Sequence, residues 1–220
     1  MGEVIIKGVV DKVESNKNSD EFNFYEALKV KETELFRNCN NIVVGKGNLN
    51  ADILFVGEAP GKNEDLQGIP FCGAAGKNLD KLLERVGLSL DDIYVANILK
   101  CRPPENRDPL PQEISEHTPW LLAQIRDMKP KVVCSLGNYA TKFFLSLGDV
   151  GLMKKQPGIT EVHGKVRDIE MEYEDSEGNV HKMDFKLIPL FHPAAIIYNR
   201  NKLTPLWLDD MEVVKKEIEA

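Results

Sequence analysis

Long apolar runs are missing from this sequence. None approaches the roughly 18 consecutive residues that a membrane-spanning helix needs. The first ten residues, MGEVIIKGVV, also lack the basic start, the long apolar stretch and the small-residue cleavage site of a secretory signal. We therefore expect an intracellular, cytoplasmic protein that makes no contact with a membrane.

Cysteine and positive charge are both in short supply. The four cysteines, Cys39, Cys72, Cys101 and Cys134, are widely spread, and none belongs to a CxxC pair. In a reducing compartment we expect free thiols or ligands rather than disulfides. The 28 lysines and arginines are outnumbered by 35 acidic residues, for a net charge of -7. This excludes a protein that binds nucleic acid through its whole surface, but it leaves room for a local basic groove.

The composition that remains is typical of a globular protein, with 42% hydrophobic and 29% charged residues over 220 positions. Residues 1–23 contain the polar stretch DKVESNKNSDEF and are predicted to form a loosely attached extension. Apolar residues recur at helical intervals over 24–38, which predicts a helix there. We expect residues 24–220 to form a single domain.

Four short apolar runs predict strands that are buried on both faces: ADILFVG (51–57), IYVANIL (93–99), KVVCSLG (131–137) and KLIPLF (186–191). Helical patterns separate or follow them, at 79–86 with a stop at Gly87, at 121–125 after Pro119, at 141–147 and at 205–218. The alternation predicts an α/β fold with a parallel sheet between helices. Two alternating segments flanking DSEGN, within 162–185, predict a hairpin insertion.

The segments after the predicted strands are rich in glycine, proline and polar residues. They are VGEAPGKNEDLQGIPFCGAAG (56–76), NILKCRPPENRDP (97–109), LGNYA (136–140) and FHPAAIIYNR (191–200). Ligands of open α/β sheets bind at the carboxyl ends of the strands, so we expect these four loops to share one rim.

The first of these loops is open to three interpretations. GEAPGKN resembles a phosphate-binding P-loop only weakly, because its gap is one residue short, Pro60 removes an amide donor and Asn63 follows the lysine. A metal site is a second candidate, although no HExxH or comparable spacing is present; its ligands would be Glu58, Glu64, Asp65 and His192.

The third interpretation is a pocket for a flat heterocycle. Glu58 follows the first strand, Asn97 ends the second and His192 follows the last. Phe71 offers a stacking face for a base. Asn97 can both donate and accept at one amide edge of a base, and His192 can donate to a ring oxygen.

Three blocks of the sequence together resemble a known family. GEAPGKNEDLQGIPF, NILKCRPPENRDP and FHPAAIIYNRNKLTPLW are similar, in order and spacing, to the motifs of the family-four, thermostable-type uracil-DNA glycosylases. The similarity runs from about Val43 to Trp207. It implies a three-layer α/β/α fold with a central four-stranded parallel sheet. It also implies a DNA-repair hydrolase that removes uracil from DNA. Because no lysine matches a position of attack on the sugar, we expect a monofunctional glycosylase that leaves an abasic site.

The resemblance also implies roles for individual residues. Glu58 matches the acidic residue that positions or activates water, and His192 matches the histidine of the last motif. Phe71 matches the aromatic that stacks on the extruded base, and Asn97 matches the asparagine that reads uracil. The surrounding turn is matched by Gly57, Ala59, Pro60 and Gly61, and the loop that enters the DNA helix is matched by Ile196, Ile197, Tyr198 and Arg200.

The chemistry of base excision fits these residue types. Cleavage leaves an anion on the base and positive charge on the sugar, which calls for a donor near O2 and a carboxylate near C1′. His192 and Glu58 supply these groups. Affinity for DNA must come from local charge, and the residues predicted to contact phosphates are Lys100, Arg102, Arg107, Arg200 and Lys202.

The family usually carries an iron-sulfur cluster on four cysteines, and here this chain departs from the pattern. Cys101 fits the third ligand and Cys39 one of the first pair, but Phe36 stands where the other should be and His117 occupies the fourth place. Two alternatives remain open: a labile cluster on Cys39, Cys101 and His117, or a cluster-free form in which Phe36 fills the space. The chemistry itself requires no cofactor. The two remaining cysteines are expected to be core thiols.

Two further functional classes remain as alternatives. One is a catalytically weak or inactive relative that binds nucleic acid or bases, and the other is a hydrolase of small molecules. Besides uracil-containing DNA, other repair or replication proteins are candidate partners, and residues 1–23 are a candidate docking segment. For a DNA-repair enzyme we expect association with the nucleoid.

Overall fold

The computed structural model describes residues 33–174 and 178–219. The extension predicted over 1–23 lies outside this range, as does the first part of the helix predicted over 24–38. The described part of that helix is α1 (Glu34–Asn38). It begins after Thr33, whose hydroxyl oxygen accepts from the main-chain N–H of Phe36 at 3.1 Å.

The described residues form one six-stranded sheet in the order β1-β3-β2-β4-β6-β5. Its strands are β1 (Lys46–Gly47), β2 (Ile53–Gly57), β3 (Ile93–Asn97), β4 (Val132–Leu136), β5 (Arg167–Glu174) and β6 (Val180–Leu190). The central four, β3-β2-β4-β6, are parallel, which confirms the predicted parallel sheet. The two edge strands, β1 and β5, are antiparallel to their neighbours.

The hairpin is joined to the sheet more closely than predicted. Its second arm and the last parallel strand form one continuous strand, β6. Burial explains the change of pattern along it. Met183 and Phe185 alternate with more exposed neighbours where only one face packs, whereas residues 187–190 are buried on both faces. The hairpin therefore extends the sheet and is not a separate insertion.

The helices are α2 (Lys62–Gln67), α3 (Ala74–Arg85), α4 (Pro111–Met128), α5 (Gly137–Leu145), α6 (Ile159–Val162), α7 (Pro193–Tyr198) and α8 (Arg200–Glu219). Short 3-10 turns lie at Pro104–Asn106 and Val150–Lys155. The helical pattern predicted at 121–125, after Pro119, belongs to α4, which begins earlier, at Pro111, and continues through that proline. The carboxylate of Glu113 accepts from the main-chain N–H of Leu110 at 2.8 Å and stabilises that earlier start.

Two hydrophobic cores lie on the two faces of the sheet. Alternate residues of β2 face opposite sides, with Leu54 in one core and Phe55 in the other. Helices α4 and α5 cover the first face, and α3 and α8 cover the second, where Trp207 is fully buried. This is the three-layer α/β/α arrangement. None of the helices in the described ranges is both long and apolar enough to cross a membrane.

Candidate active site

The four parallel strands end at one edge of the sheet, and the loops that follow them form a rim there. Glu58 follows β2, Asn97 ends β3 and His192 follows β6. The chains of β2 and β3 stay paired beyond the strands, because Ile98 donates to the carbonyl of Gly57 and Leu99 to that of Glu58, each at 3.0 Å. These bonds fix the main chain of Glu58 at the rim.

Gly57, Phe71 and Asn97 are in direct contact. A Cβ atom built on Gly57 would overlap the Oδ1 of Asn97 and would lie 2.8 Å from the Cζ of Phe71. Phe71 has a left-handed backbone, with φ of 51°, and its carbonyl accepts from the Nζ of Lys46 at 3.2 Å. Phe71 as a whole residue is only 5% exposed. Glycine at 57 is therefore needed for the amide and the aromatic ring to approach the turn.

His192 is held as a neutral imidazole with a defined tautomer. It is the N-cap of α7, and its Nδ1 accepts from the main-chain N–H of Ala194 at 3.1 Å. Burial lowers the pKa of His192 to about 4, so the ring is neutral at physiological pH. With Nδ1 accepting, the single ring proton lies on Nε2. The ring stacks on Phe71, with centroids 5.9 Å apart and an interplanar angle of 29°.

Glu58 shares its surroundings with two groups that were not among the predicted site residues. Burial first, and the charge of Asp108 second, raise the pKa of Glu58 to about 7. Burial, a hydrogen bond to Asp108 and the charges of Asp108 and Glu58 raise the pKa of Tyr139 to about 12. Asp108 and Tyr139 belong to the strand-end segments NILKCRPPENRDP and LGNYA. Their position in these segments is the feature of the sequence that could have identified them as site residues.

The loop that carries Asp108 is fixed by an ion pair. The guanidinium of Arg107 donates to both carboxylate oxygens of Glu113, at 2.6 and 2.8 Å, and to the carbonyl of Asp108 at 3.0 Å. Bidentate pairs of this kind restrict geometry as well as contributing energy. Arg107, which was predicted to contact phosphate, is exposed, and its guanidinium also holds the chain that carries Asp108.

The turn after β2 uses its acidic residues to hold the loop together. Gly61 is the N-cap of α2, Pro60 is buried and Ala59 packs against the first core. Glu64 accepts from the main-chain N–H of Gly73 at 3.2 Å. Asp65 is buried and accepts from the main-chain N–H of Asn40 at 2.9 Å. Two of the four candidate metal ligands are thus engaged elsewhere, and the described part of the chain contains no cluster of three or more potential ligands.

The structure contradicts two of the predicted DNA contacts. Lys100 is fully buried and Ile196 is 1% exposed, in the second core, so neither side chain can reach a phosphate or a base. Tyr198, at the end of α7, is 90% exposed. Ile197 is partly exposed, as is Arg102, which donates to Asn106 at 2.6 Å. The two cations of the last loop, Arg200 and Lys202, are exposed.

The residues expected around an iron-sulfur cluster do not fit one. Cys39 and Cys101 form a disulfide, which corrects the expectation of free thiols or ligands. The Nδ1 of His117 accepts from the main-chain N–H of Lys100 at 3.2 Å, and its Nε2 lies 3.3 Å from the hydroxyl of Thr33. Both ring nitrogens of His117 therefore have protein partners.

The other two cysteines cannot complete the set. Cys101 lies in the first core and Cys134 in the second, on opposite faces of the sheet. Cys72, which was expected to be a core thiol, is partly exposed in the loop after Phe71. Phe36 packs against the first core and contacts Trp120 edge to face, with centroids 5.7 Å apart.

Comparison with known proteins agrees with this geometry. The sequence model of the Uracil DNA glycosylase superfamily matches residues 44–212, a range that contains all six strands and the rim. A type-4 uracil-DNA glycosylase of Archaeoglobus fulgidus is 40% identical over 173 residues, 79% of this chain and 80% of that protein. One from Thermotoga maritima is 40% identical over 185 residues, 84% and 86% of the two chains. One from Saccharolobus solfataricus is 39% identical over 175 residues, 79% and 75%. The chain therefore belongs to the uracil-DNA glycosylase superfamily and, within it, to the type-4 family.

Proposed function

We propose that this protein hydrolyses the bond between uracil and deoxyribose in DNA and leaves an abasic site for later repair. The observation that carries the proposal is the contact of Phe71 with His192 and, at Gly57, with Asn97. Glu58 follows its strand at the same edge of the sheet. An enzyme with this substrate works inside the cell, next to the nucleoid.

His192 acts on the leaving base. Cleavage places negative charge on uracil, and the Nε2–H of the neutral ring donates to O2, where this charge develops. A donor fixed in advance at a developing anion contributes about 3 kcal/mol to the transition state. The bond from Ala194 to Nδ1 holds the imidazole in the tautomer that this role needs.

Glu58 acts on the sugar. Positive charge develops at C1′ as the bond breaks, and an ionised carboxylate there stabilises it and orients the attacking water. Only the ionised form can do so, and its pKa of about 7 therefore sets the lower pH limit of the reaction. The reaction needs no cofactor.

Asn97 distinguishes uracil from cytosine. Its Oδ1 accepts from the N3–H of uracil and its Nδ2 donates to O4, whereas cytosine presents the reverse pattern. Asn97 is 3% exposed, so a mismatched base would leave buried polar groups without partners. Phe71 is almost fully buried, so it would contact the base at the bottom of the uracil pocket.

Extrusion of the base must be offset by contacts with the protein. Flipping costs a few kcal/mol, and stacking on an aromatic ring returns about 1–3 kcal/mol. Tyr198, which is 90% exposed, would fill the gap left in the duplex, as apolar wedges do in other DNA-bending proteins. Arg102, Arg200 and Lys202 would contact the phosphates on either side.

An excision assay tests the function. End-labelled duplexes with uracil opposite guanine are incubated with the protein, treated with alkali and separated on a gel, and cytosine and thymine duplexes serve as controls. We expect strand cleavage at uracil alone, and only after alkali. Glu58→Gln should reduce excision at least a hundredfold with the fold intact. Tight binding without cleavage would instead identify a base-binding relative.

We also propose that the protein is folded and active without an iron-sulfur cluster. The support is the engagement of both His117 nitrogens and the position of Cys134 on the opposite face of the sheet from Cys101. Iron and acid-labile sulfide are measured in anaerobically purified, active protein. We expect neither, and a stoichiometric amount of both would overturn this part of the proposal.

A further inference from the structure

A buried lysine lies directly behind the strand end that carries Asn97. Lys100 is 0% exposed. Its Nζ donates to the carbonyl of Asn97 at 2.9 Å, to the Oε1 of Gln124 at 2.6 Å and to the carbonyl of Val44 at 3.4 Å. All three partners are neutral, and no carboxylate among the described residues forms an ion pair with Lys100.

A buried lysine without a counter-ion calls for an explanation. Removing an ammonium from water is costly unless a charge partner or several hydrogen bonds compensate. Burial lowers the pKa of Lys100 to about 7, in line with that cost. A methionine or leucine would fill the same space without it, so hydrophobic packing alone does not account for a lysine at this position.

The hydrogen bond from Lys100 to the carbonyl of Asn97 indicates a role for the lysine. The Oδ1 of Asn97 lies against Gly57, and the main-chain carbonyl of the same residue accepts from the Nζ of Lys100. Fixing the carbonyl fixes the peptide plane after Asn97 and so restricts the direction of its side chain. The carbonyl of Val44 accepts from two donors, the Nζ of Lys100 and, at 3.1 Å, the Nε2 of Gln124.

The same residue connects Asn97 to the cysteine-bearing part of the chain. The carbonyl of Lys100 accepts from Val43 at 2.8 Å, its N–H donates to His117 at 3.2 Å, and the next residue, Cys101, is bonded to Cys39. Lys100 therefore lies where the segment before β1, helix α4 and the end of β3 meet.

We infer that Lys100 is a positioning residue for base recognition: its Nζ holds the main chain of Asn97 so that the amide side chain faces the extruded base. The inference rests on the proposed function, because it concerns how that site reads uracil. It assigns Lys100 no contact with the DNA.

The test is a double-mutant cycle between Lys100→Met and Asn97→Ala. Methionine has a similar length but no donor, so it keeps most of the packing and removes the hydrogen bonds of the Nζ. The thermal midpoint of each variant is recorded beside its activity. Lys182→Met is the matched control, since the Lys182 side chain is 83% exposed on the hairpin. Single-turnover excision of uracil is measured for each variant, together with inhibition by free uracil.

We expect Lys100→Met to excise uracil at least about tenfold more slowly and to be inhibited less by free uracil. In the Asn97→Ala background the same substitution should have almost no further effect, because the group that it positions is gone. Affinity for abasic DNA, which has no base to read, should not change. Lys182→Met should behave as the unmodified protein does.

Two results would overturn the inference. One is a wild-type rate and wild-type uracil inhibition in Lys100→Met, and the other is an equal loss in both backgrounds, which indicates general structural damage. If Lys100→Met does not fold, Lys100→Gln takes its place in the same comparison. If the unmodified protein excises nothing, the proposed function fails separately, and direct binding of free uracil to the same variants still tests the role of Lys100.

Discussion

Excision of uracil should fall steeply as the pH drops below about 7. Burial and the charge of Asp108 raise the pKa of Glu58 from 4.5 to about 7, and only the ionised carboxylate can stabilise positive charge on the sugar. Each pH unit below the pKa should therefore lower the rate about tenfold. A glutamate with an ordinary pKa would give a flat profile down to roughly pH 5.5.

The size of the effect follows from the fraction of Glu58 that is ionised. At pH 6 a carboxyl group with a pKa of 4.5 is about 97% ionised, whereas one with a pKa near 7 is only about 9% ionised. The rate at pH 6 should thus be roughly a tenth of the plateau rate. Removing the charge of Asp108 with Asp108→Asn should lower the pKa of Glu58, while burial still keeps it above 4.5.

The assay is single-turnover excision from an end-labelled uracil duplex, with enzyme in excess, at pH values from 5 to 9. Burial lowers the pKa values of His192 and His117 to about 4, so both stay neutral over this range. Lys100, whose pKa is also about 7, titrates over the same range, but its protonation at lower pH strengthens its hydrogen bond to the carbonyl of Asn97 and does not lower the rate. The acidic limb therefore reports Glu58.

Relative to its own plateau, Asp108→Asn should be faster at pH 6 than the unmodified protein, since its acidic limb lies at lower pH. Glu58→Gln should be slow and show no acidic limb. A flat profile in the unmodified protein would refute the assignment of Glu58 as the ionised group. An unmoved limb in Asp108→Asn would refute the role of Asp108.

Three other substitutions give distinct outcomes. Gly57→Ala should lower excision about a hundredfold, because the methyl group of the alanine would displace Asn97 and Phe71. Circular dichroism should show little loss of secondary structure. Wild-type activity would show that the space between Gly57, Asn97 and Phe71 is wider than described. Tyr198→Ala should slow excision from duplexes by roughly tenfold and leave excision from single strands almost unchanged. The thermal midpoint should not change, because Tyr198 is exposed. Equal losses on both substrates would contradict the role of Tyr198 as a wedge. Glu58→Gln should unfold at a higher temperature than the unmodified protein at pH 8, by an amount equivalent to about 1–2 kcal/mol after allowance for partial exposure. The pKa of Glu58 is higher when folded, so its ionisation destabilises the fold as pH rises from 4.5 to about 7; calorimetry at pH 5 should find a smaller difference.

Lys100 shows where reasoning from sequence failed. It stands in a loop with Arg102 and Arg107, and the three cations were predicted to contact phosphates. The structure directs the Nζ of Lys100 inward, to the carbonyl of Asn97. Long side chains can place their charge several ångströms from the backbone, and the sequence does not indicate the direction. The sequence did not predict the disulfide either, because 62 residues separate Cys39 from Cys101 and only the fold brings them together.

The sequence by itself determined the strands and the order of the site. Buried parallel strands need apolar residues on both faces, so ADILFVG, IYVANIL and KVVCSLG could be recognised from composition, and parallel strands bring their carboxyl ends to one edge. Only the tertiary structure decided which side chains at that edge meet. The neighbours that raise the pKa of Glu58, the tautomer of His192 and the contact behind Asn97 all depend on groups distant in the chain, and the free energy of a buried charge is set by those neighbours rather than by the residue itself.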